Sequence, residues 1–198
     1  MMKAIAAATA MTIGAGSVSA LAVESAPVQH RYLIERTFPE GALDGVDATV
    51  KAKVNANNKS LGVGWEKSYA NANKTKTYCV YNAPNENAVR EAAKLNGLPI
   101  DNIVEVPLSF KAEPMSAVQK IATGNHRFLV TRRSDVAFHD VNDEKFGVRL
   151  ITSYLTQDKH NSYSIYEGPD FASIEKAAKA SGAPFEAIAE IPETLYPR

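Results

Sequence analysis

The sequence predicts an α+β fold: two tandem ferredoxin-like units, each ordered β-α-β-β-α-β, packed sheet to sheet as a pseudo-dimeric α+β barrel. Three observations predict it. The chain repeats Gly62–Pro107 as Gly147–Pro192 at a constant offset of 85 residues, with 16 of 46 aligned positions identical. An internal repeat constrains architecture before any single residue is read. A second match, His30–Ile34 against His126–Val130, runs at an offset of 96, so the second copy is 11 residues shorter (96 − 85) between its first two strands. Within each copy, short alternating stretches switch to helical spacing and back. A four-stranded sheet with both helices on one face leaves the other face bare, and two such sheets bury both by stacking.

The elements follow in order. His30–Thr37 alternates as a strand and is broken by Phe38-Pro39-Glu40-Gly41. Ala42–Ser60 is expected as a helix, with Leu43, Val46, Val50, Val54 and Leu61 at three-, four- and seven-residue intervals. Gly64–Asn71 and Thr75–Asn82 form a hairpin turning at Asn71-Ala72-Asn73-Lys74. Asn85 is placed to cap a helix that Gly97 ends, with Pro99 beyond. Ile103–Val106 is a short strand, and Leu108–Asn125 reads as a linker with a helical turn or two at Met115–Ala122. The second unit restarts at His126, with a short helix over roughly Ala137–Phe146. Its hairpin is Arg149–Thr156 and Asn161–Glu167. Asp170 caps the helix Phe171–Ser181, and Ile188–Ile191 is the last strand. The two units are expected to span 30–107 and 126–192.

Residues 1–22 read as a secretory signal peptide: a basic start, a small and apolar run Ala4–Gly16, then the cleavage patterns Val18-Ser19-Ala20 and Ala20-Leu21-Ala22. The mature protein is therefore expected to be exported, periplasmic or secreted. The apolar run is short for a membrane span, and none is expected after signal removal. A single cysteine, Cys79, excludes an internal disulfide. The composition, 45% hydrophobic and 22% charged, is that of an ordinary globular protein. Formal charge is zero, with 22 basic and 22 acidic residues, which gives no electrostatic reason to expect a nucleic-acid partner. The repeat supplies its own partner, so a monomer is expected.

Strand parity sorts side chains onto two faces. The face expected to pack on the helices carries Tyr32, Ile34, Tyr78, Val80, Val104 and Val106. The face expected to line a cavity between the sheets carries Leu33, Glu35, Cys79, Tyr81, Ile103 and Glu105, matched in the second copy by Leu129, Thr131, Ser164, Tyr166, Ile188 and Glu190. Carboxylates, phenols and a thiol on one wall suit a small ligand site. The candidate ligand-binding residues are thus Glu35, Trp65, Tyr69, Cys79, Tyr81, Glu105 and Tyr166. His30, Glu35 and His126 are the candidate metal ligands, since the two histidines are repeat-equivalent. His139 lies near Asp140 and Asp143, and His160 sits in a hairpin turn. No Gly-rich phosphate loop, G-x-S-x-G or paired zinc Cys motif is present.

Glu35-Arg36-Thr37-Phe38-Pro39, Ser68-Tyr69, Cys79-Val80-Tyr81-Asn82-Ala83-Pro84, Arg90-Glu91 and Gly97-Leu98-Pro99 resemble the pattern of the small bacterial nickel-binding-protein-like domains. The resemblance covers His30–Pro107 well and His126–Pro192 weakly, so the chain looks like a tandem copy. It implies a ferredoxin-like fold, pairing of sheets and binding of a divalent metal such as nickel. Many relatives carry His after the Arg-Glu pair; here the position is Ala92, and Ala177 in the second copy. The expected function is an exported small binding protein for a divalent metal or a small ligand. The alternative is an enzyme of the dimeric α+β barrel type, with Glu35, Tyr81 or Glu105 in acid/base roles.

Overall fold

The computed structural model describes residues 28–110, 121–133, 144–182 and 184–198. The first unit runs β1 (His30–Thr37), α1 (Ala48–Ser60), β2 (Gly64–Ala70), β3 (Lys76–Ala83), α2 (Glu86–Leu95) and β4 (Asn102–Glu105). A further strand, β5 (Leu108–Phe110), follows inside the stretch expected as a linker. The second unit runs β6 (His126–Arg133), a 3₁₀ turn (Glu144–Phe146), β7 (Arg149–Leu155), β8 (Asn161–Gly168), α3 (Phe171–Ala180) and β9 (Ala187–Glu190), and β10 (Glu193–Leu195) follows it.

Local chemistry explains most boundaries. Helix α1 begins six residues later than expected, because Gly41 sits at φ 78° in a chain of turns and Asp47 caps the helix through the Val50 amide at 2.9 Å. The Asn85 side chain accepts from the Ala88 amide at 2.9 Å, and Asp170 accepts from Ser173 at 2.7 Å. Gly97 at φ 66° closes α2, with the Leu98 amide bonded back to the Ala93 carbonyl at 2.9 Å. Of the short helix expected over Ala137–Phe146, the described part is the 3₁₀ turn alone. The expected turn at Met115–Ala122 falls largely outside the described residues, and His139, Asp140 and Asp143 fall wholly outside them.

Two five-stranded antiparallel sheets result, ordered β10-β2-β3-β1-β4 and β5-β7-β8-β6-β9. Each unit thus contributes four strands to its own sheet and lends a short edge strand to the other's. Leu108–Phe110 crosses to pair with β7, and Glu193–Leu195 crosses to pair with β2. The sheets stack over a buried core of Leu33, Tyr69, Tyr78, Val80, Val106, Leu129, Ile151, Tyr154, Tyr163, Ile165 and Ile191. At its centre the repeat-equivalent Tyr69 and Tyr154 hydroxyls meet at 3.1 Å.

This corrects the expected face assignment. Directly opposed residues of antiparallel strands share a face. Tyr32 opposes Tyr81, Ile34 opposes both Cys79 and Ile103, and Tyr32 opposes Glu105. Leu33 opposes Val80 and Val104, and Glu35 opposes Tyr78. Cys79, Tyr81, Ile103 and Glu105 therefore lie on the helix side, while Tyr78, Val80, Val104 and Val106 lie between the sheets. The second unit repeats this: Tyr166, Ser164, Ile188 and Glu190 face its helix side, and Tyr163, Ile165, Ala189 and Ile191 face the first sheet. Alternation within one strand was read correctly, but the register between strands was shifted by one, which reverses every partner's face.

Candidate functional site

The expected intersheet cavity is filled by packed side chains. Glu35 sits at one end of that layer, 7% exposed, as a cross-unit tie. Its Oε1 accepts from the Tyr163 hydroxyl at 2.8 Å, Arg133 Nη2 at 2.7 Å and Asn102 Nδ2 at 3.2 Å, and Lys76 Nζ stands 3.4 Å from Oε2. Burial alone would raise its pKa. The Tyr163 and Asn102 hydrogen bonds and the Arg133 and Lys76 charges outweigh that and leave it below the ordinary carboxylate value. Oε1 is thus committed to three donors and Oε2 faces a lysine.

A cavity does exist, on the opposite face of the first sheet, beneath α1. It measures about 90 Å³. Its floor is the helix side of β2 and β3: Trp65, Ser68, Thr77, Cys79 and Tyr81, joined by Arg36 from β1. Its roof is Val46, Val50 and Val54, from α1 and the segment leading into it, and Leu195 of β10 closes one side. Val50, one of these roof residues, is 40% exposed.

A β-bulge at Glu66 shapes the floor. Trp65 opposes Tyr81 and Lys67 opposes Val80, so the extra residue moves Trp65 to the helix side while Tyr69 stays between the sheets. Strict alternation would place Trp65 and Tyr69 on one face. Instead Trp65 Nε1 donates to Ser68 Oγ at 3.0 Å along the cavity floor. The Cys79 thiol contacts Thr77 Oγ1 at 3.3 Å. Burial pushes the Tyr81 phenol well above its ordinary value, the neighbouring Cys79 adds to this, and Arg36 pulls the other way. Tyr81 therefore stays a neutral hydroxyl.

Arg36 is the residue that sequence reasoning missed. It is 2% exposed, and its guanidinium carbon stands 5.9 Å over the Tyr81 ring. Nη1 donates to the Pro99 carbonyl, and Nε is buried without a hydrogen-bond partner. A signal for it was present, since Arg36 and Tyr81 recur in the second copy as Arg132 and Tyr166, again stacked, at 6.0 Å. The floor chemistry does not recur. Thr77 becomes Ser162, Cys79 becomes Ser164 and Trp65 becomes Leu150, and Ser153 Oγ donates to Ser164 Oγ at 2.8 Å.

The remaining candidates lie apart. His30 Nδ1 meets Glu105 Oε1 at 2.7 Å, and the repeat-equivalent His126 Nδ1 meets Glu190 Oε1 at 2.8 Å. Both pairs are exposed. His30, Glu35 and His126 are not brought together as one ligand set. Glu35 belongs to the intersheet tie, and each histidine belongs to its own strand-end pair. Among the described residues, no group of three or more His, Cys, Asp and Glu side chains is placed to hold a metal ion.

A family model described as "Nickel responsive protein SCO4226-like" matches residues 32–106 and 130–191. The chain belongs to this family. The two matched segments fall one on each unit, so the SCO4226-like domain is present as a tandem copy. No curated protein matches the chain significantly. Among solved structures, a putative chlorite dismutase, TA0507, is similar at 12% identity and TM-score 0.41, covering 83% of this chain and 95% of its own. A putative monooxygenase from Lactobacillus acidophilus is similar at 9% identity and TM-score 0.40, covering 85% and 96%. A heme-binding protein from Thermus thermophilus is similar at 8% identity and TM-score 0.40, covering 86% and 93%. The fold of this SCO4226-like chain rests on its own strand order and register.

Proposed function

We propose that this is an exported binding protein that holds a small ligand in the cavity beneath α1 and acts as a monomer. The observation that carries the reading is the cavity itself. It is concave, mostly apolar and supplied with a few convergent polar groups, the usual make-up of a ligand site. It also explains why the first copy keeps the 11 residues that the second lacks, because they lie between β1 and β2 and supply the roof. Export is read from residues 1–22. A catalytic reading has little support here. Glu35 and Glu105 do not line the cavity, Tyr81 lines it as a neutral phenol, and among the described residues no histidine lines it beside Cys79.

The test is binding of a small uncharged probe to the mature protein. We expect 1-hexanol at millimolar concentration to raise the unfolding midpoint and to shift the emission of Trp65, the single tryptophan. Filling the cavity with Val54→Phe should abolish both effects while the protein stays folded. Absence of any response in the wild type would sink the reading.

A metal-related role is the second reading. It is supported by membership of a family described as nickel responsive and by the duplicated His–Glu pairs. A carboxylate on Nδ1 leaves Nε2 facing outward, the usual arrangement behind a metal-bound imidazole. Each pair offers only two donors, so this reading expects weak binding of two nickel ions per chain. One should be lost in His30→Ala and the other in His126→Ala. Tight stoichiometric binding that survives both substitutions would place the metal elsewhere.

A further inference from the structure

We infer that the cavity beneath α1 selects a small monocarboxylate with an apolar body, its head group held by Arg36. This rests on the ligand-binding reading above and names the ligand class. Three features of the cavity lead to it. Every charged side chain in its wall is a cation, Arg36 at the floor and Lys51 on α1. Arg36 is almost fully buried, and no carboxylate pairs with it among the described residues. A guanidinium removed from water with a free N–H calls for a charged acceptor, because an unmet buried donor is costly. The rest of the wall is apolar, Phe38, Leu43, Val46, Val50, Val54 and Leu98 among it, and suits a short hydrocarbon chain or ring.

Size narrows the class. At roughly 10–15 Å³ for each water-sized position, a cavity of about 90 Å³ holds on the order of six to nine heavy atoms. Hexanoate fits this range, and a long-chain fatty acid does not. A bare divalent cation is disfavoured at this place, since Arg36 and Lys51 would repel it. The cavity and the exposed His–Glu pairs therefore serve different chemistries.

The second unit supplies an internal control. Arg132 stacks on Tyr166 as Arg36 does on Tyr81 and also carries buried N–H groups without a partner, so the structural role of the stacked arginine is shared by both and what sets Arg36 apart is the cavity it lines. Recognition of a ligand in this cavity falls to Arg36 and not to Arg132, which does not line it.

The experiment compares sodium hexanoate with 1-hexanol at pH 7, read by Trp65 emission. A hydrogen bond to a charged group predicts hexanoate about ten- to a hundredfold tighter than hexanol. Arg36→Met should bring hexanoate down to the affinity of hexanol, Arg36→Lys should keep part of the preference, and Arg132→Met should keep all of it. Equal affinity for the two probes in the wild type would overturn the inference and leave the cavity reading standing. Failure of both probes would overturn both. The wild-type ratio decides the matter even if Arg36→Met does not fold.

Discussion

Glu35, a polar candidate in the sequence, is held in the structure by side chains far from it in the chain. Its neighbours come from both units: Arg133 and Tyr163 from the second, Lys76 and Asn102 from the first. Its folded pKa lies below the ordinary value of 4.5, so the sign of its pH effect follows. The charged carboxylate stabilises the fold above the ordinary carboxylate range, and that contribution is lost as pH falls through the lowered folded value. Glu35→Gln leaves Arg133 and Lys76 without their shared carboxylate. It should cost roughly 1–2 kcal/mol at pH 7, the order of a hydrogen bond to a charged group, because Arg133 and Lys76 are themselves over a third exposed and screened by water. The difference from wild type should shrink once the carboxylate protonates. Urea denaturation at neutral and acid pH checks both statements, and a difference that does not change with pH would show that the charge of Glu35 is not what stabilises. The residue type, a Glu directly after the apolar run Tyr32-Leu33-Ile34, was legible in the sequence. Its partners were not, because Arg133 and Tyr163 lie 98 and 128 positions away.

At the scale of elements, the signals that survived are local ones. Asn85, Asp170, Gly97 and Gly182 mark helix ends through hydrogen bonds and backbone angles that span only a few residues. Helix α2 places Val89 and Ala92 on the core of the first unit, so its cap supports buried packing. Asn85→Ala should cost about 1 kcal/mol by urea denaturation, while Asn85→Asp should cost much less. What failed at this scale was register. The bulge at Glu66 inserts one residue and changes the face of everything before it on β2. Its counterpart at Ile151 does the same on β7. Neither position carries a glycine or other breaker that would announce a bulge. The strands β5 and β10 were missed for a related reason. Each is three residues long, and each pairs with a sheet belonging to the other unit. No periodicity can be read from three residues.

For the whole molecule, those two crossed strands tie the units together in addition to the stacked core. β10 covers the edge of β2, Leu195 walls the cavity, Lys74 Nζ lies 3.3 Å from Glu193 Oε2, and Asn55 Nδ2 donates to the Pro197 carbonyl at 2.8 Å. Ending the chain after Pro192 should lower the urea midpoint, weaken 1-hexanol binding, and expose a strand edge that self-associates. The full-length mature chain should elute as a monomer, and the truncated one should form larger species on size exclusion. Monomeric elution of the truncated chain with unchanged stability would show that the crossed strand contributes nothing. By itself, the sequence determined that there are two units, their β-α-β-β-α-β order, the caps and turns, and that the copies are unequal. Those are carried by repeats and by interactions a few residues long. Only the tertiary structure decided which face of each sheet meets the other, that the intersheet layer is filled, and that the cavity lies beneath α1 with Arg36 in its floor. The physical reason is that facing depends on register between strands, where one residue reverses the outcome, and register is set by packing across the whole molecule.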